Sequence, residues 1–334
     1  MQYLLIATFT SATSHYNMML YDVLGISKDK LDHFFANPSS YFKVNNKIYR
    51  HINTSDQKSV SLKFDKYIYE QTKKYVESKN PKQSILAHKS INQLLQGHVS
   101  NTFILVTDIK NYFNSISFIV FKQLVNKNNS LYDRLDEIRK IYFINDFLIK
   151  GLMASPILSE IIGLKIDNLI NQIIYSDVEK YDLKYTRYYD DIIVSSNNID
   201  RLILVYNSIN EIFKNTLKLE LNNKKTRIQS LKGASVLGLR FYDDSIRVPG
   251  KYRNELRGII YRYKFLKEDS QFEIENKIKY VNKIKSSINY VIYNSPNEIV
   301  DSYKIQLVNF NEEHKRLADK LTYNILDSFN DHSI

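Results

Sequence analysis

Two places in the sequence set carboxylates at the end of an apolar, strand-forming run. The first is Tyr188, Tyr189, Asp190 and Asp191, inside the stretch Lys184 to Ser196. Aromatic and β-branched residues flank the acidic tip, which reads as strand, tight turn, strand. Aspartate tolerates turn geometry, so an ordinary hairpin turn explains the stretch as well as a metal site does. Ordinary hairpins, however, favour Asn-Gly or Asp-Gly at the tip, and adjacent carboxylates between apolar arms repel unless a cation faces them. Alone, the stretch leaves both readings open. The second place is Asp108, which closes the buried-type strand Phe103 to Asp108. An aspartate at a strand end is also a common helix cap. Together the two signals say more. Strands from distant parts of one sheet can bring such carboxylates side by side, where at ~4 Å they repel by roughly 4 kcal/mol near a protein surface. Their convergence implies a divalent cation, and two cations on shared aspartates form the clamp used for in-line phosphoryl transfer.

The elements that must position these groups are legible in outline. Residues 1–40 read as helical, with Ser27 as N-cap of Lys28 to Phe35. Tyr41 to Ile52 reads as a β-hairpin around Asn45 and Asn46, carrying Lys43, Lys47 and Arg50. Helical spacing returns over 63–79 and again over Ser90 to His98. Between the two carboxylate strands, Ser155 fits an N-cap and Pro156 the first helical position, while Gly151 permits close approach of backbone to a ligand. An amphipathic helix over 201–218 and a strand over 235–241 follow. The order is that of an α+β sheet rather than a doubly wound one, and no phosphate-binding glycine loop occurs. From Lys251 the helices are long. Lys251 to Glu268 and Phe272 to Tyr293 interleave Lys and Arg with Tyr, Ile and Phe, a solvated amphipathic face or a duplex-binding one.

Composition narrows the chemistry. The chain has 334 residues, 43% hydrophobic, enough for a large domain or several subdomains. Its net charge of +11 favours a polyanionic partner, nucleic acid first and an acidic membrane surface second. Without cysteine there is no disulfide, thiolate zinc site or cysteine nucleophile. The seven histidines show no close ligand spacing, so a catalytic metal must be held by oxygen, which points to Mg²⁺ or Mn²⁺. The run Tyr3 to Phe9 is poor as a signal peptide, and no apolar stretch approaches the ~20 residues that span a bilayer. A soluble, cytoplasmic protein without membrane association is expected.

In order, these stretches resemble the motifs of a reverse transcriptase. Asp108 to Ile116 is similar to the family's first catalytic motif, Gly151 to Pro156 to the second, Tyr188 to Asp191 to the Tyr-x-Asp-Asp signature, Asn223 to Thr226 to the fourth, and Val236 to Arg240 to the primer-grip hairpin. Residues 85–98, with Ser90, Ile91 and His98, resemble the segment before the first catalytic strand in defence-associated bacterial members, the abortive-infection and retron types. Three departures stand out. Leu148, Ile149 and Lys150 replace Leu-Pro-Gln, Leu94 and Leu95 stand where retrons carry Asn-Ala, and Val248, Pro249 and Gly250 only loosely match Val-Thr-Gly. They favour the abortive-infection-like group over a retron proper.

The resemblance implies a right-hand polymerase fold. Fingers and N-terminal helices would occupy 1–100, the palm 101–243 with a finger insertion about 120–148, and a helical thumb 244–334, with no added nuclease or maturase segment. It implies an RNA-directed DNA polymerase serving antiphage defence. Asp108, Asp190 and Asp191 would bind Mg²⁺, and Lys225 would protonate or neutralise the leaving pyrophosphate. Phe113, five residues after Asp108, would be the steric gate against a ribose 2′-hydroxyl. Lys47 and Arg50 would contact the triphosphate, and Gly151 and Ser155 would line the template side. Arg257, Lys264 and Lys277 would meet the duplex. Expected partners are an RNA template, with a dedicated non-coding RNA as one source, the DNA product and dNTPs; a second copy or a second defence protein is left open. The competing readings are a template-independent or protein-primed polymerase, a retron reverse transcriptase, and a nucleic-acid-binding scaffold without catalysis.

Overall fold

The computed structural model describes residues 20–45, 48–51, 55–79, 88, 90–127, 129–176, 182–243 and 245–330. Helix α1 (Lys28–Ala36) leads into the hairpin β1 (Phe42–Asn45) and β2 (Ile48–His51), then α2 (Ser55–Ser78) and the short α3 (Ile91–Leu95). Strand β3 (Phe103–Asp108) is followed by α4 (Tyr112–Ser115), α5 (Phe118–Leu124), α6 (Leu135–Tyr142) and a ribbon of β4 (Phe143–Ile144) and β5 (Phe147–Leu148). Next come α7 (Ala154–Ser176), the hairpin β6 (Lys184–Tyr188) and β7 (Asp191–Ser196), α8 (Ile199–Ile212) and β8 (Arg227–Ser230). Strands β9 (Ser235–Val236), β10 (Leu239–Phe241) and β11 (Ile246–Arg247) form a small sheet, and α9 (Gly250–Tyr263), α10 (Gln271–Tyr293) and α11 (Asn297–Asn330) follow.

The central sheet has the strand order β6-β7-β3-β8, with every pairing antiparallel. Side chains alternate between the faces of a strand, and here both faces are covered. Leu105, Ile192 and Val194 point into a core built with α2, α7 and α8. Ile104, Val106 and Ile193 point into a second core shared with the C-terminal helices. Asp108 continues the stripe of Ile104 and Val106, and Asp191 that of Ile193, so both carboxylates lie on the second face. They emerge where the apolar stripe reaches the sheet's rim.

Three details differ from the sequence reading. Helix α7 starts at Ala154 rather than behind a Ser155 cap. Its first amides are satisfied from another helix: Met153 N and Ala154 N donate to the Asp65 carboxylate at 2.8 and 2.9 Å. A carboxylate there also suits the positive end of the helix dipole. The stretch 235–241 is two short strands and not the single strand its residue pattern suggests; it forms the hairpin that the family resemblance implies, with Val236 paired with Leu239. Leu237 and Gly238 make the turn alone, both with positive φ (50° and 81°), as a two-residue primed turn requires. A Cβ on Gly238 would lie 2.9 Å from the Tyr290 hydroxyl. Lys277, expected at the nucleic-acid surface, is buried. It donates to Glu268 at 2.6 Å and lies 4.8 Å over the Tyr263 ring. Arg316 and Lys320 reach the same carboxylate at 2.6 and 3.3 Å, fastening α10 and α11 to the turn after α9. The hydrogen bond from Arg316, foremost, holds Glu268 down to about 2. Lys277 is committed to that clasp and is not available to a phosphate backbone.

His98 is completely buried behind the sheet. Its Nδ1 meets Ser195 Oγ at 2.7 Å and its Nε2 meets Thr186 Oγ1 at 2.9 Å, tying the turn after α3 to β6 and β7. Burial, then the nearby Lys184 charge, pushes its pKa down to about 3. The unfolded chain takes up this proton near the ordinary value of 6.5, so between pH 6.5 and 3 it binds more protons than the folded chain does. The contribution is complete above 6.5 and is lost as the pH falls, at up to about 1.4 kcal/mol per pH unit. Urea unfolding at pH 7.5, 6 and 5 is expected to show this slope, and His98→Gln to flatten it. Equal slopes in the two proteins would remove His98 as the cause.

Candidate active site

The register of the central strands sets the geometry. Asp108 on β3 lies directly opposite Asp191 on β7, and Asp191 is in turn paired with Tyr188 on β6. Tyr189 and Asp190 therefore form the hairpin tip, next to the end of β3. Ile109 N donates to Asp190 O at 3.0 Å, and Asn222 N to Asp108 O at 2.8 Å, so backbone bonds hold the tip and the strand end together. Tyr189 adopts φ 50°, an uncommon conformation for a bulky side chain. Such strain persists where the surroundings over-determine it.

Arg187 provides that determination. Its guanidinium is completely buried. It is bidentate on Glu160, at 2.7 and 2.8 Å, and on Asp167, at 2.8 and 3.0 Å. Its remaining reach goes to the carbonyl of Tyr189 at 3.1 Å. Tyr185 adds a hydrogen bond to Asp167 at 2.7 Å. Burial works against the guanidinium charge, but Glu160 and then Asp167 raise its pKa and keep it ionised. Glu160, Gly163 and Asp167 fall on one face of α7 by helical spacing. Gly163 supplies the space, since a Cβ there would lie 2.3 Å from an Arg187 nitrogen. None of these residues was singled out from the sequence. The available signal was a run of polar and small residues at i, i+3 and i+7 in an otherwise apolar helix.

The carboxylates themselves are in electrostatic tension. Burial, followed by the charges of Asp190 and Asp108, pushes Asp191 up to about 6. Burial and Asp108 likewise raise Asp190, against the opposing pull of a backbone hydrogen bond and of Lys150 and Lys225. Asp108 is buried; its Oδ2 accepts from Lys225 Nζ at 2.9 Å, whereas its Oδ1 has no hydrogen-bond partner among the described residues. A buried carboxylate oxygen left unpaired, beside carboxylates that repel one another, fits a divalent cation. No three His, Cys, Asp or Glu side chains converge on one point among the described residues. An ion here would thus draw its remaining oxygens from substrate and water, as Mg²⁺ commonly does.

The other predicted residues are placed unevenly. Lys225 is at the site, exposed apart from its bond to Asp108. Phe113, half-buried on α4, packs edge-on against Tyr112 at 5.7 Å and carries the Lys150 ammonium 5.3 Å over its ring. Gly151 is exposed and adopts φ 111°, open only to glycine without strain. Ser155 is completely buried, with a hydroxyl that finds no partner among the described residues, so it does not line an open template surface. Arg50 lies in β2, where only its backbone is described, and Lys47 is outside the described residues. Arg257 and Lys264 are exposed on and just beyond α9.

A family model described as reverse transcriptase (RNA-dependent DNA polymerase) matches residues 35–250. The chain belongs to that family, and its mixed helices and antiparallel sheets are those of the right-hand polymerase fold. Retron Ec73 reverse transcriptase of Escherichia coli is 31% identical over 171 residues, a match covering 46% of this chain and 52% of that protein. The match thus spans about half the length of the curated relative, which lies on the retron side of the two bacterial groups. The solved structure of apo telomerase from Candida tropicalis aligns with a TM-score of 0.50 at 10% identity, covering 82% of this chain and 59% of that one. That likeness concerns the fold alone. No described helix is long and apolar enough to cross a membrane.

The repulsion predicts a stability signature. A carboxyl whose folded pKa is raised stabilises the fold below pH 3.8, its ordinary value, and that contribution is lost as the pH rises through about 6. With chelator at pH 7.5, Asp191→Asn is therefore expected to raise the thermal midpoint, and at pH 4 to leave it nearly unchanged. Millimolar Mg²⁺ should raise the wild-type midpoint more than that of the variant. A variant no more stable than wild type in chelator at pH 7.5 would show that the repulsion is absent.

Proposed function

We propose that this chain is an RNA-directed DNA polymerase that extends a primer 3′-hydroxyl with deoxynucleoside triphosphates. The observation that carries the reading is the pairing of Asp108 with Asp191 across β3 and β7, with Asp190 at the adjoining tip, in a chain of the reverse transcriptase family. Asp108 and Asp190 are the residues that would hold Mg²⁺, or Mn²⁺ in its place, with Asp191 as a further ligand or as the group that orients them. When bound, such ions acidify the attacking hydroxyl and offset the charge that builds on the phosphate.

The remaining work falls to this chain's own groups. Lys225 presents its ammonium at the carboxylates and is placed to neutralise or protonate leaving pyrophosphate. Phe113 is a ring close behind the catalytic strand, and we assign it to exclude the 2′-hydroxyl of a ribonucleotide. Gly151 permits backbone to approach the template side. Lys47 and Arg50 are the proposed triphosphate contacts from the fingers. The exposed cations Arg257 and Lys264 are assigned to the duplex backbone. The relative named as a retron reverse transcriptase favours a retron-like member, copying a dedicated non-coding RNA in the cytoplasm in the service of antiphage defence, over the abortive-infection-like type.

Primer extension on an RNA template with Mg²⁺ and dNTPs tests the assignment. Asp108→Ala is expected to lower incorporation by at least about a hundredfold with circular dichroism unchanged; wild-type rates in that variant would dismiss the site. For Phe113, loss of the ring is expected to shift the ratio of ribonucleotide to deoxynucleotide incorporation upward by about ten- to a hundredfold, the equivalent of roughly 1–3 kcal/mol of overpacking. A Phe113→Ala protein that is merely less stable, with the ratio unchanged, would make Phe113 a core residue instead.

A further inference from the structure

The short helix α3 makes directional bonds to two separate parts of the chain. From the turn that follows it, His98 reaches Thr186 on β6 and Ser195 on β7. Near its start stands Asn92, whose backbone N–H is one of the amides that a helix start leaves without an internal partner. Asn294, the residue that closes α10, takes it up. Asn92 N donates to Asn294 Oδ1 at 3.1 Å, and Asn294 Nδ2 donates in turn to the Tyr290 carbonyl at 2.9 Å. One buried amide thus joins the start of α3 to the end of α10. The Asn92 side chain adds a bond from Nδ2 to the Ile246 carbonyl of β11, at 2.6 Å.

The packing around these bonds is of another kind. Val236, Leu239, Ile288 and Val291 of the small sheet and α10 share one core with Ile104, Val106 and Ile193, on the sheet face where Asp108 and Asp191 emerge. Apolar contact is non-directional, so it leaves two packed layers able to settle at neighbouring offsets. A buried asparagine selects one of them, as it selects register in a coiled coil. Tyr290, whose carbonyl Asn294 holds, carries the offset forward. Its hydroxyl abuts the Gly238 turn of the β9–β10 hairpin, and its ring lies 5.2 Å from that of Tyr252. The α3 segment therefore stands between the hairpin of Asp190 and the turn of Leu237 and Gly238. We propose that Asn294 is a positioning residue for polymerisation. Through Asn92 and Tyr290 it sets the offset of the β9–β10 turn from the carboxylates, and so the place where the primer end comes to rest before them.

The inference rests on the polymerase reading, and the experiment lets the two fail separately. The full chain, in excess over a DNA primer on an RNA template, is given Mg²⁺ and saturating dNTP, and the rate constant for the first addition is measured. That constant belongs to folded, bound enzyme and is not lowered by an unfolded fraction. Asn294→Ala is expected to reduce it about tenfold, as a small misplacement of reacting groups does, with the affinities for dNTP and primer–template unchanged. Asn92→Ala, which loses the Ile246 bond and keeps its amide on Asn294, should show the same change in smaller measure. Ile284→Val removes one buried methylene from the middle of α10; it should lower the thermal midpoint and leave the rate constant alone. Hydrogen exchange over 235–241 should quicken more in Asn294→Ala than in Ile284→Val. An unchanged rate constant in Asn294→Ala would overturn the inference. So would an equal loss in Ile284→Val, which would reduce Asn294 to a stabilising contact. A wild type that extends no primer beyond the Asp108→Ala blank would dismiss the polymerase reading, and exchange over 235–241 would still decide whether Asn294 holds the turn.

Discussion

The buried guanidinium of Arg187 is the interaction on which the rest of the site depends. It is enclosed by Glu160 and Asp167 on α7 and hydrogen-bonded to the carbonyl of Tyr189, so a single side chain joins the helix behind the sheet to the tip of the β6–β7 hairpin. Removing one partner from a buried ion pair typically destabilises by 3–5 kcal/mol, because the other charge is left uncompensated. Here the guanidinium answers two carboxylates. The same charge that packs α7 against β6 also fixes the strained turn, so the fold and the placement of Asp190 share one support.

Positive charge is distributed around this protein by depth. Arg187 and Lys277 are internal and matched to carboxylates, where they act as fasteners. Lys225 stands at the open rim, bonded to Asp108, and Lys150 is exposed over the Phe113 ring. Arg257 and Lys264 lie on the exposed side of the C-terminal helices. The net charge of +11 is therefore not one surface property. A share of it is consumed inside, and sequence alone has no means of telling an internal lysine from an external one when both sit in basic, aromatic-rich helices. That is why Lys277 reads as a nucleic-acid contact and proves to be a clasp.

What the sequence discloses and what it withholds follow from the range of the forces involved. Strands β3, β6 and β7 are readable because alternation and β-branching are local, and the carboxylates stand out because a charge at the end of an apolar stripe is unusual. Asp108, Asp190 and Asp191 are legible for that reason, whereas Lys225 and Phe113 stand out only through the resemblance to the family's motifs. The start of α7 is misread because its cap comes from Asp65, far away in sequence, and Ser155 only imitates a local cap. Arg187, Glu160, Gly163 and Asp167 escape notice because each is ordinary alone and the meaning lies in their three-dimensional meeting. His98 appears as a family landmark, but its bonds to Thr186 and Ser195 exist only once the sheet has closed.

The position of β3 at the middle of its sheet has a consequence in time. Phe103 pairs with Ser196 on one side and with Ser230 on the other, so both neighbours of the strand bearing Asp108 are synthesised long after it. Contacts of such wide sequence separation close slowly, since loop-closure entropy is spent before they form. During translation Asp108 must wait for the hairpin of Asp190 and then for the segment of Lys225. The carboxylate cluster is thus assembled late in the life of the nascent chain, after the N-terminal helices have emerged, and an incomplete product lacks it.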